Sequence, residues 1–189
     1  MVYLTVGTSG SGKSTFCKNH SGIIICPDEI REKVFGDIND QTHNRTVFDI
    51  AYYTLEKFLK SNNEEDIYFD ATSLYKKTIK TFCDFCLDKA NIKPTILIFT
   101  DSNDLKLCYT RIKNDLTNGI NRSNVSYAVL KKQYDNFKKL NFDEIENEIT
   151  SIESIIKIGC IYSRKEDSLC QKMKKRNLHL SKRKSRTSR

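Results

Sequence analysis

Short apolar runs alternate along this chain with longer stretches whose apolar residues recur every three or four positions. The runs at residues 2–6, 22–26, 67–70 and 94–100 carry no charge until their ends, which predicts buried strands. Between them, Val47, Ile50, Ala51, Thr54, Leu55 and Phe58 share one face of a helix over about residues 42–60. Tyr75, Ile79, Phe82, Cys83, Cys86, Leu87 and Ala90 do the same for the next helix. Shorter helices are expected over residues 13–20, 28–35, 103–113 and 126–140, with polar loops over 62–65 and 114–124. Residues 142–152 fit a further helix, and 154–162 a last strand.

Strands that alternate with helices and are apolar along their whole length predict an α/β fold, a parallel sheet covered by helices on both faces. In such sheets ligands bind at the carboxyl ends of the strands. The chain's most chemical residues fall there. Gly7-Thr-Ser-Gly-Ser-Gly-Lys-Ser14 follows the first strand and opens the first helix, which completes the G-x-x-x-x-G-K-[ST] phosphate-binding loop. Gly7, Gly10 and Gly12 permit a tight curl whose amides, with those of Thr8, Ser9 and Ser11, point inward at phosphate oxygens. Lys13 is expected on the β and γ phosphates of ATP and Ser14 on Mg²⁺, with Thr15 a neighbouring hydroxyl.

Asp70 ends the third run, where phosphate-loop enzymes place a second carboxylate for Mg²⁺; an acid there, like Thr72 or Ser73, also caps helices. Asp28 follows the second run with Arg31 one turn later. A carboxylate beside the phosphate loop takes the proton of an attacking hydroxyl, whereas the same pair on a surface helix is only a local ion pair. Arg111 to Arg122, with Lys113, Asn118, Gly119 and Asn121, suits a mobile lid carrying cations over a transferred phosphoryl group. Cys83-Asp-Phe-Cys86 has the spacing of half a zinc site, yet both thiols fall on an apolar helix face and no second pair follows. His20, His43 and His179 form no catalytic or metal-ligand pattern.

Composition changes the picture at one end only. The net charge is +8, but residues 164–189 hold eleven Lys or Arg against two Asp or Glu, so residues 1–163 sum to −1. A globular domain over 1–162 and a basic tail over 163–189, disordered when free, are therefore expected. The tail reads as a solubilising extension or as a nucleic-acid contact or nuclear-import signal. Seven cysteines without a secreted framework's spacing, and no apolar stretch near the roughly 18 residues of a membrane span, predict a soluble intracellular protein with no membrane contact.

The glycine loop, Pro-Asp28-Glu-Ile-Arg31, Ile67-Tyr-Phe-Asp70-Ala-Thr-Ser-Leu74, Arg111 and Arg122-Ser-Asn-Val-Ser-Tyr-Ala-Val-Leu130 occur in one order over about residues 3–140. In this the chain resembles the phosphate-loop polynucleotide 5′-hydroxyl kinases. The resemblance implies an adenylate-kinase-like fold with a short lid, ATP and Mg²⁺ as cofactors, and nucleic-acid 5′-hydroxyl ends as partners. It implies Asp28 as general base, Arg31 as clamp on the acceptor's phosphate, Lys13 and Ser14 as donor and Mg²⁺ ligands, Asp70 as the strand-end acid, and Arg111 as lid cation. Arg122 is a weaker match, because Asp115 stands where the family's second lid arginine is usual and Ser126 where proline is common. No Asp-x-Asp-Gly-Thr phosphatase segment follows. Related phosphate-loop kinases act on nucleosides, sugars or other small alcohols, as zeta-toxin-like enzymes do, and a nucleotide-binding switch or adaptor would share the loop.

Overall fold

The computed structural model describes residues 1–61 and 64–159. Its sheet has five strands, β1 (Val2–Val6), β2 (Ile23–Ile25), β3 (Ile67–Phe69), β4 (Thr95–Phe99) and β5 (Ser154–Ile158), all parallel in the order β2-β3-β1-β4-β5. Helices α1 (Lys13–Lys18), α2 (Pro27–Phe35), α3 (Asn44–Lys60), α4 (Lys76–Ala90), α5 (Leu105–Thr117), α6 (Tyr127–Lys138) and α7 (Phe142–Glu148) make the connections.

Each fully apolar strand serves two cores at once. Val2, Leu4 and Val6 of β1, Ile67 and Phe69 of β3, and Ile96 and Ile98 of β4 pack against α3, α4 and α7. The intervening Tyr3, Tyr68, Leu97 and Phe99 face Phe16 and Cys17 of α1, with Tyr3 stacked on Tyr68. Successive strand side chains point to opposite faces, so a strand covered on both sides must be apolar throughout. A third, smaller cluster of Cys108, Ile112 and Leu130 joins α5 to α6.

The connection after β1 leads to β2, on one side of the sheet, and the connection after β4 leads to β5, on the other. The connections leaving the carboxyl ends of these two adjacent strands therefore diverge, which opens a crevice for a ligand. Residues 7–14 lie on one flank of it and residues 100–108 on the other.

Two expectations need correction. Thr100–Asn103 is a 3₁₀ turn, and α5 starts after Asp104, whose carboxylate accepts from the Leu107 amide at 2.8 Å, and runs on to Thr117. Arg111 and Lys113 are therefore helical residues, and only residues 118–126 remain as a lid loop. Of the two readings open for Asp70, the helix cap falls away, because α4 begins only after Tyr75. The loop at 62–63, the end of the last strand beyond 159, His179 and the basic tail fall outside the described residues. Among the described residues no helix is long and apolar enough to cross a membrane.

Candidate phosphoryl-transfer site

From Val6 the chain curls through residues 7–12 into α1. The Gly7 amide donates to the Thr72 carbonyl at 3.0 Å, and the Thr5 hydroxyl donates to the Ala71 carbonyl at 2.8 Å. These bonds tie the start of the glycine loop to the segment that leaves β3. Two side chains hold the apex: Ser102 Oγ accepts from the Thr8 amide at 2.9 Å and Gln133 Oε1 from the Ser9 amide at 2.8 Å, while the Ser11 amide donates to the Thr8 carbonyl at 3.2 Å, so these three amides, expected to face phosphate oxygens, are paired within the chain. Gly12 sits in the left-handed region at φ 98 and caps α1. The start of α1 thus turns its unpaired amides, and the positive end of its dipole, toward the crevice.

Lys13 is 7% exposed, and its ammonium donates to the Thr8 carbonyl at 2.8 Å, across the loop. Burial pushes its pKa down, while the negative charge of Asp70 opposes the shift; Asp28 lies near enough to oppose it too, and Arg122 to reinforce it. Asp70 is buried as well. Burial pushes its carboxyl up, against the pull of Lys13 and of a hydrogen bond from the Ser14 hydroxyl. A buried ammonium and a buried carboxylate so arranged stabilise one another's charge.

The Ser14 hydroxyl and Asp70 carboxylate are hard oxygen donors that lie close enough for the hydroxyl to favour the charged carboxylate. They form the donor set a magnesium ion takes when water and phosphate oxygens complete its shell, so the residues present fit that ion. Among the described residues no group of three or more His, Cys, Asp or Glu could hold a metal. Cys83 and Cys86 are buried in α4, and burial pushes both thiols up to about 12, so they are core residues.

Asp28 and Arg31 are more than a surface pair. The Arg31 side chain is 4% exposed and the Asp28 side chain 50%. Arg31 Nη1 donates to Asp28 Oδ1 and Nη2 to Asn44 Oδ1 at 2.7 Å, which fixes the carboxylate at the first turn of α2. Asp28 Oδ2 accepts from the Ser123 hydroxyl at 2.9 Å. Arg31 Nε, Arg122 Nε and Ser11 Oγ are buried without a hydrogen-bond partner. A buried donor left unpaired is costly, so the two arginine Nε groups suit a ligand rich in anionic oxygens.

Of the residues expected at the site, Lys13, Ser14, Asp70 and Asp28 gather at the loop, with Arg31 bound to Asp28 and Arg122 near enough to act on the charge of Lys13. Arg111 reaches the loop from the other flank, with Nη1 2.9 Å from Asp101 Oδ2 and 3.3 Å from the Gly10 carbonyl. Arg122 pairs with Asp115, the residue at the usual place of a second lid arginine. Asn44, Ser102, Ser123 and Gln133 were not anticipated. Only Ser102, just past an apolar strand, bore a positional signal in the sequence; the others are polar residues of loops and helix faces.

This sheet order with a glycine loop after its central strand defines a phosphate-loop kinase-like fold. A family profile described as an AAA domain matches residues 2–140, and the chain belongs to that family. No curated protein matches it in sequence. Among solved structures, the Pnkp1/Rnl/Hen1 RNA repair complex is similar at 16% identity and TM-score 0.61, over 75% of this chain and 46% of that one. The chain thus spans less than half of that relative's length. A Chloroflexus aurantiacus protein described as a candidate kinase is similar at 13% identity and TM-score 0.62, over 95% of this chain and 96% of that one. Shikimate kinase from Acinetobacter baumannii, solved with shikimate, is similar at 15% identity and TM-score 0.51, over 94% and 93%. At these identities the likeness is one of fold.

Proposed function

We propose that this chain transfers the γ-phosphate of ATP to the 5′-hydroxyl of a nucleic-acid end. The observation that carries the reading is Asp28. One of its oxygens is anchored by a buried arginine, and the other already accepts a hydrogen bond from a hydroxyl. That is the posture of a general base awaiting an alcohol. Arg31 adds a reason to favour a polynucleotide, because its buried Nε is without a partner beside that base, a place for an acceptor that carries a phosphate next to its hydroxyl. The likeness in fold to an RNA repair complex points the same way.

In this reading the amides at the start of α1 and Lys13 hold the donor's phosphates, Asp28 takes the acceptor's proton, and Arg31 clamps the acceptor. Arg111 braces the loop through the Gly10 carbonyl, and Arg122 brings positive charge to the side where the phosphoryl group moves. Ser14 and Asp70 would hold a magnesium ion, which would supply charge neutralisation on phosphate oxygens.

A second reading has its own support. A cavity of about 550 Å³, walled by Phe48, Tyr52, Tyr75, Val129 and Gln133 among others, lies between α3, α4 and α6, and its Gln133 also touches the loop. Its volume suits a small-molecule acceptor.

Incubation with Mg²⁺ and γ-labelled ATP, in parallel with 5′-hydroxyl oligonucleotides, free nucleosides and no acceptor, separates the readings. Label on oligonucleotide ends is expected, reduced about 10²- to 10⁴-fold in Asp28→Ala with ATP binding retained. Label confined to nucleosides would overturn the first reading in favour of the second. ATP hydrolysis indifferent to any acceptor would overturn both.

A further inference from the structure

The lid loop delivers a hydroxyl of the chain itself to the place an acceptor hydroxyl takes. Ser123 Oγ donates to Asp28 Oδ2 at 2.9 Å, and its other acceptor among the described residues, the Ile38 carbonyl, is farther away at 3.5 Å. The other Asp28 oxygen is committed to Arg31. Ser123 is held there from both sides: Arg122 pairs with Asp115, and the Asn124 amide donates to Asn39 Oδ1 at 2.8 Å. The first contact ties the lid to α5 and the second ties it to the α2–α3 segment, and they leave the serine partly exposed.

We propose that Ser123 is an intramolecular acceptor, so that in the absence of a substrate hydroxyl the protein phosphorylates its own lid at this residue. The proposal rests on the kinase reading above. Ser123 Oγ forms a bond to the γ-phosphorus of ATP as the bond from that phosphorus to the β–γ bridging oxygen breaks. The hydroxyl proton passes to Asp28 Oδ2, and ADP leaves with the electron pair of the broken bond.

Two features of the site favour this transfer over a purely structural latch. Arg122, the residue before Ser123, lies near enough to Lys13 to act on its charge, as Asp28 does, so base, serine and phosphate-binding lysine share one neighbourhood. The phosphoserine formed would carry close to two negative charges beside Arg31 and Arg122, whose buried Nε donors have no other partner. The two arginines offset the repulsion between that phosphate and the Asp28 carboxylate, and the phosphoserine occupies the base's free side against any second acceptor.

The test uses the full-length protein with Mg²⁺ and γ-labelled ATP and no acceptor, at several protein concentrations, with the labelled peptide located by mass spectrometry. A parallel reaction contains a 5′-hydroxyl oligonucleotide. The expected result is label on Ser123, acquired at a rate per chain that does not depend on protein concentration and is suppressed by saturating oligonucleotide. Ser123→Ala and Asp28→Asn lose it while binding ATP as the parent does, and Ser123→Thr keeps it on the new hydroxyl. Label on the oligonucleotide with none on Ser123, or chain label that persists in Ser123→Ala, overturns the proposal and leaves the kinase reading standing. Label on neither overturns both.

Discussion

At Gly10 a methyl group would meet the carbonyl oxygen of Cys108 at 2.4 Å, and the residue's φ of +78 excludes most side chains. Backbone cannot yield as a flexible side chain would, so Gly10→Ala must push the loop and α5 apart. We expect a loss of about 1–3 kcal/mol in denaturant unfolding, together with weakened ATP binding. An unchanged midpoint would show that the approach of α5 to the loop is not fixed by packing. The buried thiols make a second residue-scale prediction, on pH. Burial holds Cys83 and Cys86 at about 12, above the ordinary 9.0, because the thiolate would lose its hydration. Between those values the unfolded chain has lost protons that the native chain keeps. Their contribution is therefore fully present below pH 9 and is lost as pH rises toward 12, at up to about 1.4 kcal/mol per pH unit for each group. Denaturant midpoints measured across that range should fall steadily, and less steeply in Cys83→Ala/Cys86→Ala.

Among the elements, α3 illustrates what an amphipathic pattern specifies. Val47, Ala51 and Leu55 are fully buried, and the last packs in the core shared with β1, β3 and α4. Leu55→Ala should cost about 2–5 kcal/mol, the cost of lost transfer plus a cavity; a loss below 1 kcal/mol would mean that the face is not a rigid core. Most of the sheet and its helices could be read in the same way, because period 2 and period 3.6 are properties of local sequence. Three things could not. The alternation within Val2–Val6 that sends Tyr3 to α1 and Leu4 to α3 leaves no trace in a run that is apolar throughout. The lid is shorter than its polar composition implies, because Asp104 caps α5 and the helix continues through Arg111 and Lys113, residues that favour helix as readily as loop. Contacts across the chain, such as Ser123 to Asp28 or Gln133 to the Ser9 amide, depend on how elements dock and have no local signature. Lys13, Ser14, Asp28 and Asp70 stand out in the sequence as candidates because phosphate chemistry demands particular residue types at strand ends.

For the whole molecule, the decisive quantity is where its charge lies. Residues 1–163 sum to −1, so the domain that holds the site has no net attraction for a polyanion, and the +9 of residues 164–189 exceeds the total of +8. Within the domain, positive charge is gathered at the crevice by Lys13, Arg31, Arg111 and Arg122, each near a carboxylate. These arginines and the lysine are suited to grip one terminal phosphate group rather than a long strand. If the acceptor is a polynucleotide, sustained binding must draw on residues 164–189. Each single-strand phosphate they neutralise adds about 0.7 to the slope of log affinity against log salt. Single-stranded oligonucleotide binding, titrated from low to physiological salt, should therefore be strong and steeply salt-dependent for the full chain and weak and shallow after deletion of residues 164–189. Phosphate transfer to a short acceptor should survive that deletion, because the loop, Asp28 and Arg31 are untouched. Equal slopes with and without these residues would refute the division of labour between a site that reads an end and a basic segment that holds the strand.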